Sequence, residues 1–117
     1  APISPDKDKG LTASMVNNYV KHGYLTKPDK KKYQRQQIAR LIAITTLKSV
    51  FSIQEIAQTL NTLQSQASSE QLYDAFVDYM NQGIDPANPI IQTSCQTVKL
   101  YHQTLALIHH TEEEVIK

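Results

Sequence analysis

Apolar and polar positions recur with helical period along almost the whole chain. Met15, Val16, Tyr19 and Val20 share one helix face, and Ser14, Asn17, Asn18 and Lys21 lie on the other. This spacing predicts a helix over 12–22, opened by Thr12 as N-cap and followed by Gly23, a residue suited to the left-handed conformation beyond a helix end. From Gln34 to about Val50, Ile38, Leu41, Ile42, Thr45 and Leu47 form an apolar stripe that Ala39, Ala43 and Ile44 broaden, which predicts the central helix of a core. Ser52 and Glu55 then spell a capping box, with Phe51 and Ile56 as a hydrophobic staple, and the helix they open runs to about Leu63. Ser68 and Gln71 repeat the box before a helix bearing Leu72, Tyr73, Phe76, Tyr79 and Met80, which ends at Gly83. Asn88 and Pro89 read as N-cap and first helical position of a last helix reaching about Val115. Its inward heptad positions are Ile91, Ser94, Val98, Tyr101, Leu105, Ile108, Glu112 and Val115.

Between the first two helices the chain reads YLTKPDKKKY, from Tyr24 to Tyr33. Pro28-Asp29 is a turn signal, and Tyr24-Leu25 facing Tyr33 predicts a minimal β-hairpin with Lys27, Lys30, Lys31 and Lys32 at its tip. Residues 1–10 mix prolines, a glycine and alternating charge and read as an arm or linker. The expected architecture is mainly α with one small β-hairpin: an arm at 1–10, a head at 11–63 and a C-terminal helical hairpin at 69–117. That hairpin supports the head or dimerises it through helix 89–115.

Composition narrows the class. At 117 residues with 40% hydrophobic side chains, the chain can bury a core without metal or disulfide staples. The one cysteine, Cys95, excludes an internal disulfide and a Cys2His2 zinc site; its position reads as small, buried packing. A single thiol and no visible secretory leader point to a reducing, cytoplasmic location. No apolar run approaches the roughly 18 residues of a membrane span. Among the histidines, His102 and His109 share a face, and His109 with Glu113 makes at most half a metal site, so no metal or cofactor is expected. There is no Gly-rich phosphate loop, nucleophile elbow or carboxylate pair in an apolar setting; Asp74 and Asp78 read as the outer face of their helix. Enzymatic activity is therefore not expected.

The net charge of +1 conceals a strong gradient. Residues 1–35 carry eight cations against three acids, a net +5, whereas 70–117 carry two cations against seven acids, a net −5. The basic third suits a polyanion and the acidic end repels one. A polar helix face alone reads as solvated; beside a lysine-rich tip it reads as a nucleic-acid contact.

Short helix, glycine, basic hairpin, apolar helix and a capped Ser-Ile-x-Glu-Ile helix, in that order from Leu11 to Leu60, resemble the winged helix-turn-helix head of MerR-type regulators. Gly23-Tyr24-Leu25 falls at that family's Gly-Leu-Leu, Tyr33 at the tyrosine closing its wing, and Phe51 to Ile56 at its Phe-Ser-Leu-x-Glu-Ile. The chain is more similar still to an uncharacterised bacterial domain-of-unknown-function family. That family's Thr-x-x-Met-[Val/Ile]-Asn-Asn-Tyr and Pro-x-Lys-Lys-Lys-Tyr stand here at Thr12 to Tyr19 and Pro28 to Tyr33. The sequence departs from the MerR pattern in three ways. No helix is expected before the first one, Ser14 and Asn17 stand where arginines are common, and two shorter helices replace the long dimerising tail.

The resemblance implies a transcription regulator that binds double-stranded DNA. Ser14, Asn17, Asn18 and Lys21 would meet the major groove, where asparagine can bond adenine in bidentate fashion. Lys27, Lys30, Lys31, Lys32, Tyr33 and Arg35 would lie on phosphates, with Tyr33 alternatively serving as wing core. The other reading is a protein-interaction adaptor that grips a partner with the acidic hairpin and its Tyr73, Tyr79 and Tyr101.

Overall fold

The computed structural model describes residues 11–30 and 32–116, with the backbone alone at 116. The arm expected over 1–10 and the wing residue Lys31 lie outside the described residues. Those described form five α-helices: α1 Ala13–Lys21, α2 Arg35–Leu47, α3 Ile53–Gln64, α4 Ser69–Gln82 and α5 Pro89–Ile116.

The helices begin where local chemistry directs. The Thr12 hydroxyl accepts from Met15 N–H at 3.1 Å. Ser52 and Glu55 satisfy each other's backbone donors at 3.1 and 2.8 Å, and these bonds hold the Glu55 carboxyl below its usual pKa. Ser68 and Gln71 do the same, both at 3.2 Å, and Asn88 Oδ1 accepts from Ile90 and Ile91. Gly23, at φ +78°, ends α1 in a Schellman turn: Tyr24 N–H donates to the Tyr19 carbonyl at 2.8 Å and Gly23 N–H to that of Val20 at 3.1 Å.

The core gathers around α2. Its Leu41, Ile44 and Leu47 are buried with Tyr19 of α1, Leu25 of the following loop, Ile56 of α3 and Val98 of α5. Leu63, Ile91 and Cys95 form a second cluster under Leu72, Phe76 and Tyr79 of α4, and Leu60 and Met80 touch both clusters. The hairpin of α4 and α5 therefore shares the head's core. Each fully buried leucine or isoleucine contributes roughly 1.5–3 kcal/mol.

Three expectations require correction. Ile38 and Ile42, placed by the sequence on the inner stripe of α2, are exposed. That helix is apolar over more of its circumference than its neighbours can cover. The hairpin wing is absent among the described residues: Asp29 and Lys32 form one isolated antiparallel bridge, and no strand extends it. Pro28 has no N–H for a ladder, and the carbonyls that strand pairing would use are bonded by side chains of α2. Finally, α5 divides into two unlike halves. Val98 and Cys95 are fully buried, but every side chain described from 102 to 115 is exposed, including Leu107 at 67% and Val115 at 80%.

Burial pushes the Cys95 thiol from its ordinary pKa of 9.0 up to about 11, with Lys99 pulling weakly the other way. The folded pKa is raised. The corresponding stability is thus fully present below pH 9.0 and is lost as pH climbs toward about 11. Two results are expected. Thiol reagents should label Cys95 only after denaturant unfolds the chain. The loss of stability at alkaline pH, followed by urea titration, should be shallower in Cys95→Ala than in the native protein.

Candidate nucleic-acid interface

The apolar side of α1 is committed to the core, where Tyr19 is buried and Met15, Val16 and Val20 pack partly covered. Helical geometry then fixes the other side. Ser14, Asn17, Asn18 and Lys21 are all exposed and, with Met15, line one shallow depression. Four side chains rich in donors and acceptors thus share one uncovered face of a nine-residue helix.

The loop after α1 is positioned by α2. Gln37 Nε2 donates to the Thr26 carbonyl (3.0 Å), the Thr26 hydroxyl (2.8 Å) and the Lys27 carbonyl (2.9 Å), sharing its two protons among three acceptors. Its Oε1 accepts from Gln34 N–H at the start of α2. Arg40 Nε donates to the Tyr24 carbonyl at 2.8 Å, and a terminal nitrogen donates to Asn61 Oδ1 at 3.1 Å. Leu25 inserts into the core between these two anchors. At the far end Lys32 N–H closes a turn on the Asp29 carbonyl at 2.8 Å, with Lys30 in the left-handed region at φ +48°. Lys27, Lys30 and Lys32 are exposed. Tyr33 is half-buried, its ring packed against the core.

Arg35 carries the last charge of this group. It pairs with Glu70 of α4 at 3.7 Å, with side chains 85% and 67% exposed. Such a pair is worth at most about 1 kcal/mol, too little to keep Arg35 from a phosphate.

Sequence reasoning missed Gln37 and Arg40. The visible signal was a charged residue, Arg40, inside the most apolar helical stretch of the chain, with Gln37 closing the polar run before it. Elsewhere, His110 pairs with Glu114 at 3.0 Å, and no group of three or more His, Cys, Asp or Glu converges among the described residues. The hairpin tyrosines Tyr73, Tyr79 and Tyr101 are half-buried, and Lys99 Nζ lies 4.8 Å over the Tyr79 ring and donates to the Tyr79 carbonyl. No helix among the described residues is long and apolar enough to cross a membrane.

A small helical head with a side-chain-anchored basic loop is thus the class of protein these residues define. Residues 1–76 match the family described as Domain of unknown function (DUF1836), and the chain belongs to that family. The matched span holds α1 to α3 and the first part of α4, and α5 lies beyond it. No curated protein and no solved structure matches the chain.

If Gln37 holds the loop, Gln37→Ala should cost about 1–2 kcal/mol in urea unfolding. Limited trypsin digestion after Lys30 and Lys32 should accelerate several-fold while the helical circular-dichroism signal is unchanged. A loop no more susceptible than in the native protein would show that Gln37 bonds are replaced by water at no cost.

Proposed function

We propose that the chain is a DNA-binding protein of the transcription-regulator kind, with a head akin to the MerR-type winged helix in which an anchored loop does the work of a wing. In this reading α1 lies in the major groove and offers Ser14, Asn17, Asn18 and Lys21 to bases and phosphates. Lys27, Lys30, Lys31, Lys32 and Arg35 meet the backbone, and Tyr33 supports them from the core side. The observation that carries the reading is the uncovered polar face of α1 joined, through the Gly23 turn, to a loop whose Lys27, Lys30 and Lys32 are exposed and whose backbone is fixed to α2 at Tyr24, Thr26 and Lys27.

A two-headed arrangement completes the proposal. Leu105, Ile108 and Val115 occupy heptad positions and are bare, so the distal half of α5 suits a second copy of itself. Antiparallel pairing is the favoured sense, because parallel pairing would set the Glu112, Glu113 and Glu114 triads side by side. Two heads related by a two-fold axis would read a pseudo-palindromic site.

The same bare helix also favours the adaptor reading, in which a different protein covers it. Alanines at Lys30, Lys31 and Lys32 together separate the two: they should abolish a DNA-dependent activity and leave an adaptor's partner binding intact.

Titration with duplex DNA should give log affinity falling with log salt at a slope of about −4 to −5 per head, flattened by about one for each of Lys30→Ala and Lys32→Ala. No binding at about 50 mM salt rejects the DNA reading. Sedimentation equilibrium should find a dimer, and Leu105→Glu with Ile108→Glu should return a monomer. A native protein that stays monomeric throughout the micromolar range rejects the two-headed arrangement and leaves the head's chemistry to be judged by the titration.

A further inference from the structure

The helices do not close completely beneath α4. A pocket of about 60 Å³ lies among α2, α3, α4 and α5, walled by Ala43, Leu47, Leu63, Phe76 and Ile91. Two features leave it open. α2 presents the small side chains Ala39 and Ala43 there, one turn apart, and α4 seats no side chain deeply enough to be fully buried. One water needs only about 10–15 Å³ and a benzene ring a cavity of about 150 Å³, so the space takes part of a small hydrocarbon body and the rest would lie in its open mouth; most of its wall offers water no partner.

Gln36, Thr59, Gln64, Ser69, Tyr73 and Ser94 also line it, and Arg40 is the one charged residue in the lining. Arg40 lines this pocket and also the polar groove between the loop and α3. Its Nε and one terminal nitrogen are spent on Tyr24 and Asn61. The other terminal nitrogen has no hydrogen bond among the described residues and is not sealed from solvent. No carboxylate pairs with Arg40 among the described residues, and burial lowers its pKa with no acid to oppose the shift. The groove holds Lys27 and Asp29, one of each sign, so the guanidinium charge is left unbalanced where groove and pocket meet.

We propose that this pocket binds a small apolar carboxylic acid, its hydrocarbon body among Leu47, Leu63, Phe76 and Ile91 and its carboxylate on Arg40. The pairing is chemically selective. A guanidinium fork matches a carboxylate through charge-assisted bonds, and a neutral molecule of the same shape fills the apolar space but leaves the charge unanswered. The pocket is distinct from the polar face of α1 and the loop lysines, and the inference does not rest on the DNA reading.

The test is a methyl and amide NMR titration of the full chain with benzoate and with 4-methylpentanoate, and with benzamide as the neutral comparison. At least one of the two acids should give saturable shifts at Ala43, Leu63 and Ile91, with affinity in the micromolar-to-millimolar range expected of so few heavy atoms. Benzamide should bind at least about tenfold more weakly than benzoate if benzoate binds. Arg40→Gln should erase that preference. Arg40 also holds the loop, so a second variant, Ala43→Leu, fills the pocket with the guanidinium intact and should abolish binding of acid and amide alike. Absence of saturable shifts with both acids, equal binding of benzoate and benzamide, or shifts confined to the loop lysines would each overturn the proposal.

Discussion

Arg40 sits half out of water in the middle of the most apolar helical stretch of the chain, and its charge cannot be shed there. Leu41, Ile44 and Leu47 on the same helix must be buried, so α2 cannot rotate to carry Arg40 fully into solvent. The guanidinium instead takes the Tyr24 carbonyl from one side and the Asn61 amide from the other. Those bonds offset part of its desolvation and join the loop, α2 and α3 at one point. Gln37, nearly one turn earlier, fixes the same loop at Thr26 and Lys27. The backbone from Tyr24 to Lys27 is held because two polar side chains of the central helix bond its carbonyls.

This joint explains what the sequence could and could not disclose. Helix starts were legible because a cap is a local event: Ser52 and Glu55, or Asn88 and Pro89, settle their helix within four residues. The exposed polar face of α1 was legible for the same reason, since Met15, Val16, Tyr19 and Val20 leave Ser14, Asn17, Asn18 and Lys21 nowhere else to point. The loop was misread as a hairpin because its flanking tyrosines and Pro-Asp turn are local signals. The bonds that decide its shape span 10 to 16 residues and come from a helix, not a strand. Ile38 and Ile42 failed in another way. Periodicity reports how much of a helix is apolar, whereas burial depends on how many neighbours arrive to cover it.

Charge adds a direction to the fold. The cations concentrate before α3, and α4 carries Glu70, Asp74 and Asp78 outward. A polyanion is drawn to the cation-rich part of the sequence and repelled by the acid-rich part. The Arg35–Glu70 pair sits where these regions meet, and its high exposure leaves it weak. Glu70 therefore orients Arg35 without withholding it from a stronger anion.

The last helix raises a question of energetics. α5 runs 28 residues on one heptad pattern, interrupted by Ser94 and Glu112, and the pattern changes its meaning at Tyr101. Before that point Ile91, Cys95 and Val98 are sealed by α2, α3 and α4; after it Leu105, Ile108 and Val115 repeat the spacing but are exposed among the described residues. A heptad pattern shows that a stripe will be covered and is silent on whether the cover comes from the same chain. Isolated helices of about 12–15 residues are marginal in water, and a row of bare apolar side chains does nothing to stabilise one. The proposed pairing of two copies would cover that stripe. Two copies in antiparallel array are the simplest cover, because each brings the same stripe and keeps its acidic triad away from the other's. The head and the distal helix thus answer to separate constraints: the first is satisfied by the chain's own packing, and the second would be met by the proposed association.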